Sequence, residues 1–283
     1  MILFKRIADL HKYLDAQRQT GKKIGFVPTM GALHEGHLSL VRQSKSCTDL
    51  TLCSIFVNPT QFNAPRDFEK YPVSTEQDIT LLVSAGCDLL FLPAVAEIYP
   101  EGQRPAVHYD LGMLESVLEG KFRPGHFQGV CQVVHRLLDL VRPDDLFLGQ
   151  KDYQQCMVIT RLIEQTGYRE KTRVHICPTL REEDGLAMSS RNRRLDKTER
   201  ATAKAIYQSL CFIKNQLRPG ELAELTETAG KQLTEKGFRV DYIEIADAAS
   251  LAPCPSWDGK QKLVALAAAF LGEVRLIDNL PLN

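Results

Sequence analysis

What this chain lacks narrows its class first. Eight cysteines occur in 283 residues, yet no two of them form a CxxC pair, so a structural zinc site is not expected. Cys47, Cys53, Cys87, Cys131, Cys156, Cys177, Cys211 and Cys254 are spread through a long chain, most of them inside apolar runs such as LTLCSIFV and VHICP. Reduced cysteines packed as small hydrophobes fit that placement better than a disulfide framework. Neither sign of charge is in excess, with 35 Lys plus Arg against 35 Asp plus Glu. That balance excludes a surface built to coat nucleic acid, so any basic residues that matter act locally. Long apolar runs are missing too: VALAAAFL is far shorter than the roughly 20 residues that span a bilayer. Lys5, Arg6 and Asp9 interrupt the stretch a signal peptide keeps apolar. A soluble, cytoplasmic protein is expected.

What is present is an alternation. Through roughly the first 180 residues, strand-length apolar runs (KIGFVPT, LTLCSIFV, DLLFLP, DLFLG, TRVHICP) alternate with helical periods (from His37, then STEQDITLLVSAG, FQGVCQVVHRLLDLV and DYQQCMVITRLIEQTG). Strands apolar on both faces, each followed by an amphipathic helix, predict an α/β fold with a doubly wound parallel sheet. From about Leu195 two helical periods, DKTERATAKAIYQSLCFIKNQL and ELAELTETAGKQLTEKG, precede three strand-like runs, VDYIEIAD, KLVALAAAFL and VRLIDNL. They predict a smaller C-terminal α+β domain with an antiparallel sheet. The expected division is 1–180 and 181–283.

Such sheets bind ligands beyond the carboxyl ends of their strands. The unusual polar residues fall there: His34 and His37 after FVPTM, Asn58 and Gln61 after IFV, Gln150, Lys151 and Asp152 after DLFLG. HEGH is not the zinc-protease HExxH, because one residue is missing between the imidazoles. At a strand-to-helix turn, however, its amides, the helix dipole and the two rings suit an anion. GLAMSSRN adds the Ser189 and Ser190 hydroxyls and the Arg191 guanidinium, all apt for phosphate oxygens. Each cluster has a plainer reading: an ordinary turn for HEGH, a polar cap before the DKTER helix for MSSR, a solvated lysine for Lys151. Neither GxxxxGK[ST] nor a GxGxxG after a strand occurs, so a phosphate site here uses another scheme. Together the clusters predict one cationic, hydroxyl-bearing cradle for a nucleotide's anionic tail.

PTMGALHEGHLSLV, IFVNPTQF, RPGHFQGV, GQKDYQQ, DGLAMSSRN and LGEVRLIDN, in that order from about residue 22 to the end, resemble the pantothenate synthetase family of pantoate–β-alanine ligases. These are Rossmann-like HxGH nucleotidyltransferases related to class I aminoacyl-tRNA synthetases, with MSSR where those synthetases carry their mobile KMSKS loop. The resemblance implies that Met30, Gly31, Ala32, Leu33, His34, Glu35, Gly36 and His37 line an ATP site, with His34 and His37 facing the triphosphate and His37 as proton donor. It implies Lys151 on phosphate, Gly149 and Asp152 near the ribose with Gln150 between them, and Leu180 contacting adenine through its backbone. Met188, Ser189, Ser190 and Arg191 would form the phosphate loop, giving a catalytic set of His34, His37, Lys151, Ser189, Ser190 and Arg191. Gln61 and Gln155 would hold pantoate, Gln61 also serving β-alanine, with Asn58 beside them. Apart from the resemblance, Arg123 or His126 in FRPGHF could meet the β-alanine carboxylate or simply belong to a turn at RPG.

The implied activity is condensation of pantoate and β-alanine through a pantoyl adenylate, with ATP and Mg2+, in a homodimer whose second domain is a lid. Residues 60 to 70 and the MSSR loop are expected to close. Gln150 stands where the family often has Glu. Of the acids that bind magnesium in some members only Asp78 remains in STEQD, so the protein ligands of the metal are left open. Two other readings stand beside this one: an HxGH nucleotidyltransferase acting on a phosphorylated acceptor, and a non-catalytic nucleotide-binding module.

Overall fold

The apolar runs of the first half are buried on alternate residues toward both sides of a sheet. The computed structural model describes residues 1–62, 68–69, 71–102 and 107–283, and the chain divides into two compact units. The first comprises Met1–Glu115, Arg123–Gln150 and Gln155–Pro178, the second Ser116–Phe122, Lys151–Gln154 and Thr179–Asn283. Of the segment expected to close, residues 63–67 and 70 lie outside the described residues.

In the first unit the strands are β1 (Ile2–Phe4), β2 (Ile24–Thr29), β3 (Leu50–Ile55), β4 (Leu89–Phe91), β5 (Asp145–Gly149) and β6 (Arg173–Cys177). They pair in the order β1-β4-β3-β2-β5-β6, all parallel. Ile24, Phe26, Leu52, Leu89, Phe91, Leu146 and Leu148 share one buried cluster with helices Ile7–Gln19 and His126–Val141. Their neighbours Val27, Cys53, Ile55, Leu90 and Phe147 share another with helices Glu35–Cys47 and Thr75–Ser84. The period of two therefore feeds two cores, one on each face. Each fully buried Leu or Phe stabilises the unit by about 1.5–3 kcal/mol.

β1 was not expected from the sequence, since three residues are too few to display a period. It pairs with β4 at the sheet edge. Between β2 and β5 the winding reverses: the chain leaves β2 for β3 on one side and β5 for β6 on the other. The carboxyl ends of β2 and β5 thus flank a topological switch point, where open α/β sheets take their ligands.

The second unit carries a short ribbon, β7 (Gly220–Glu221) with β9 (Ser256–Trp257), and an antiparallel sheet of β8 (Phe238–Asp247), β10 (Leu263–Leu271) and β11 (Val274–Pro281) in the order β11-β10-β8. Leu263, Ala265, Ala267, Ala269 and Leu271 of β10 share a core with Ile206, Leu210 and Ile213 of helix Ala205–Gln216 and Ala229 and Leu233 of helix Ala223–Glu235. The single helical period read from DKTER onward is interrupted at Lys204, which remains in right-handed helical conformation between helices Lys197–Ala203 and Ala205–Gln216. Among the described residues, no helix is long and apolar enough to cross a membrane.

Candidate active site

The loop leaving β2 is built around a buried carboxylate. Asp78, only 1% exposed on helix Thr75–Ser84, accepts the Ala32 N–H through Oδ2 at 2.9 Å and the Leu33 N–H through Oδ1 at 2.8 Å. Ser74 Oγ donates to the same Oδ1 at 3.0 Å. This grip holds an unusual backbone, with Gly31 at φ +81° and Ala32 at φ +50°. Left-handed conformation is cheap for glycine and costs an alanine roughly 1 kcal/mol or more. Two short charge-assisted bonds are enough to offset that.

The loop delivers His34 as the N-cap of helix Glu35–Cys47. His34 Nδ1 accepts the Gly36 N–H at 3.2 Å, and His37 Nδ1 accepts the His34 N–H at 3.4 Å. Both imidazoles use Nδ1 as acceptor, so the proton of each neutral ring lies on Nε2. The ring centroids are 4.1 Å apart. The Ala32, Leu33, His34, Gly36 and His37 amides of this turn are bonded within the chain, so what suits the turn to an anion is chiefly the positive helix end beside the two rings. Glu35 pairs with Arg42 at the surface, at 2.9 Å.

After β3 the NPTQ turn is pressed against a helix. Asn58 is 1% exposed; its Nδ2 donates to Gln61 Oε1 and to the Gly129 carbonyl, both at 3.2 Å, and its Oδ1 accepts Tyr99 Oη at 2.9 Å and Thr60 Oγ1 at 3.1 Å. Gly129 is what permits this, because a Cβ there would lie 2.3 Å from the Thr60 carbonyl oxygen and 2.9 Å from Gln61 Cα. Gln61 Nε2 reaches Met30 Sδ at 2.9 Å, so the turn after β3 meets the loop after β2. His126 holds the same turn from below: its Nδ1 lies 2.8 Å from the Gln61 carbonyl and its Nε2 3.1 Å from Arg123 Nη1. A carbonyl only accepts and a guanidinium only donates, so Nδ1 carries the proton and Nε2 accepts. Both nitrogens of His126 are thereby engaged, and of the two groups considered for the β-alanine carboxylate Arg123 keeps the charge.

Gly149 ends β5 and is followed by the turn Gln150–Asp152. Gln155 is half-buried in the first turn of helix Tyr153–Gln165. Lys151 and Asp152 belong to the second unit, together with the whole segment from Leu180 to Arg191. In that segment Met188 N donates to the Leu180 carbonyl at 3.0 Å and Arg181 bridges Ala187, making a narrow hairpin. Leu180 is 39% exposed, Met188 half-buried, and Ser190 buried. Ser189 Oγ accepts the Arg191 N–H at 3.2 Å and caps the short turn Ser190–Arg194. The DKTER helix has its own cap, Asp196 with Glu199, so the plainer reading of the serines as that helix's cap does not hold.

Two anchors of the second unit escaped sequence reasoning. Asp278 accepts both Nη atoms of Arg181, at 2.7 and 3.0 Å, and Asn279 Nδ2 donates to the Lys151 carbonyl at 2.8 Å. Glu119, on the segment that joins this unit from earlier in the chain, forms a bidentate pair with Arg275 at 2.8 and 2.9 Å and accepts Tyr242 Oη at 2.9 Å. Burial, reinforced by the Glu119 charge, pushes the Tyr242 phenol well above its ordinary value. The available signal was polarity inside an apolar strand, since Asp and Asn in VRLIDNL are seldom buried without partners.

Magnesium finds no ready set here. Among the described residues no three of His, Cys, Asp and Glu gather as ligands. Asp78, the acid left open for that role, has both oxygens committed to the loop after β2.

A family model described as pantoate-beta-alanine ligase matches residues 2–281. A pantothenate synthetase of Cytophaga hutchinsonii is 43% identical over 283 residues, covering 99% of both chains. One of Acidiphilium cryptum is 46% identical over 280 residues, covering 98% of this chain and 99% of its own. Among solved structures, the pantothenate synthetase of Thermus thermophilus superposes with a TM-score of 0.90 at 40% identity, over 100% of this chain and 99% of that one. The pantoate-beta-alanine ligase of Francisella tularensis, complexed with beta-gamma ATP and beta-alanine, gives 0.83 at 38% identity over 99% and 97%.

Proposed function

Because the chain belongs to the pantoate–β-alanine ligase family, and is an enzyme of the ligase class, we propose that it condenses pantoate with β-alanine through a pantoyl adenylate, releasing pyrophosphate and then AMP. A free carboxylate is a poor acyl donor because its leaving group would be an oxide. In the first step the pantoate carboxylate attacks the α-phosphorus of ATP, and negative charge moves onto the departing pyrophosphate. His34 and His37 donate from Nε2 to the phosphate oxygens, Lys151 and Arg191 supply fixed positive charge, and Ser189 and Ser190 supply hydroxyl donors. Catalysis is then positional and electrostatic, with no protein nucleophile. Met30 through His37 and Gly149 through Asp152 line the nucleotide, with Leu180 and Met188 at the base and the phosphate loop. Magnesium would be held with the ATP substrate and would supply charge neutralisation there, because Asp78 could coordinate it only by releasing Ala32 and Leu33.

In the second step the β-alanine amine attacks the acyl carbonyl and displaces AMP, while Arg123 pairs with the β-alanine carboxylate. Gln61 and Gln155 hold pantoate, and Asn58 fixes the Gln61 amide. The observation that carries this reading is the neutral amide pair Asn58–Gln61, buried and touching Met30 of the histidine loop. Neutral amides hold hydroxyls and a carboxylate without a counter-charge that would oppose adenylation. We extend the proposal to a cytoplasmic homodimer whose second unit serves as the lid.

Pyrophosphate and AMP release test it. Pyrophosphate should require pantoate and ATP, and AMP turnover should rise further only when β-alanine is added. Pyrophosphate formation without pantoate, or AMP release indifferent to the amine, would overturn it.

A further inference from the structure

Asp278 and Asn279 sit side by side in β11, 2% and 1% exposed. Adjacent polar side chains buried in a mostly apolar strand are retained only if their hydrogen bonds are made. Here the bonds reach far along the chain. Asn279 Nδ2 holds the Lys151 carbonyl, 128 residues away in sequence, at 2.8 Å. Asp278 holds Arg181, 97 residues away, through both Nη atoms. The two grips are also joined to each other: Asn279 N donates to Asp278 Oδ1 at 2.8 Å, and the Asn279 carbonyl accepts Arg181 Nη2 at 3.2 Å.

Arg181 is itself held rigidly. Its Nη1 donates to the Gly185 carbonyl at 3.1 Å, and its guanidinium lies 3.8 Å from the centroid of the Tyr207 ring. It therefore fixes the base of the Leu180–Met188 hairpin, from which Ser189, Ser190 and Arg191 follow.

We propose that Asp278 and Asn279 are positioning residues for the adenylation step: Asn279 sets Lys151 and Asp278 sets the loop that carries Ser189 to Arg191, so that one dipeptide keeps two phosphate-handling segments in a fixed mutual arrangement. Neither residue touches substrate. The proposal rests on the reading above that Lys151 and Arg191 act on phosphate. Preorganisation is the physical reason: donors already in place need no rearrangement as charge develops, and a displacement of about 1 Å costs on the order of 10²-fold in rate.

The test is a double-mutant cycle on pantoate-dependent pyrophosphate release. Asn279→Asp keeps the shape and removes the donor to Lys151; it should lower kcat about 10- to 100-fold while the pantoate KM stays within about twofold. In a Lys151→Ala background the same change should cost less than about twofold, because its effect passes through Lys151. Equal losses in both backgrounds would overturn the positioning role, as would an unchanged rate for Asn279→Asp. A normal rate for Lys151→Ala alone is a different failure, because it removes the reading of Lys151 on which the proposal stands. Trp257 fluorescence melts check folding, and if Asn279→Asp does not fold, Asn279→Ala takes its place in the cycle. Failure of both to fold would mark the pair as structural and count against the proposal.

Discussion

The two units hold their functional polar groups by opposite means. In the first, Asn58, Gln61 and His126 are fixed by amide, imidazole and carbonyl partners, and the buried carboxylate of Asp78 is spent mostly on backbone N–H groups. In the second, ion pairs stand beside the Asn279 amide on the Lys151 carbonyl: Arg181 with Asp278, and Arg275 with Glu119 and Asp241. On the proposed function, neutral scaffolding at the NPTQ turn suits a carboxylate substrate, because amides bind it without changing the local charge. Ion pairs suit a unit that must hold segments distant in sequence, because bidentate geometry adds direction as well as attraction. They are also the more fragile device, since losing one partner leaves a buried charge uncompensated.

The sharpest way to break that contrast is Arg275→Met. It strands Glu119 and leaves Asp241 only the longer pair with Arg239 at 3.7 Å, both acids having side chains 10% exposed, and should cost about 3–5 kcal/mol. The only tryptophan, Trp257, lies in the second unit, so denaturant melts followed by its fluorescence report on that unit. A loss below about 1 kcal/mol would mean that the network is not what holds it together.

The neutral side of the comparison is tested by Gly129→Ala. The new methyl group would lie 2.3 Å from a backbone oxygen, and main chain cannot step aside as a side chain does. A net loss of about 1–3 kcal/mol is expected even though alanine favours helix, with the pantoate KM rising more than the ATP KM. Equal rises would mean that the NPTQ turn does not shape the pantoate pocket.

The smallest effect concerns the half-exposed pair of Asp184 and Arg200 in the second unit, at 2.7 Å. The hydrogen bond from Arg200 lowers the Asp184 carboxyl below its ordinary value. A depressed carboxyl adds stability above the unfolded value of about 3.9, and loses it as pH falls through the lower folded value. Asp184→Asn should therefore cost about 0.2–1 kcal/mol at pH 7. The difference from wild type should shrink toward zero in acid below the carboxylate range, and a cost that grew there would contradict the pairing.

Much of the fold was legible because it depends on local pattern. Runs such as KIGFVPT and DLFLG carry a period of two for both faces, and that period alone calls for a sheet covered on both sides. Candidate residues at strand ends, such as His34, Gln61 and Lys151, were legible as chemistry out of place in apolar surroundings, whereas Gln155, inside helix Tyr153–Gln165, came only with the family resemblance. The interrupted helix at Lys204 and the three-residue β1 were not, because elements that short leave no periodic mark.

The sequence by itself determined the strand and helix periods and which residue types could meet an anion, since these follow from side-chain chemistry and spacing along one chain. Only the tertiary structure decided that Asp78 serves the Ala32 turn, that Gly129 admits the NPTQ backbone, and that Asp278 and Asn279 grip Arg181 and Lys151. Each of those is a contact between segments dozens to more than a hundred residues apart, and directional hydrogen bonds across such gaps exist only once the chain has closed on itself.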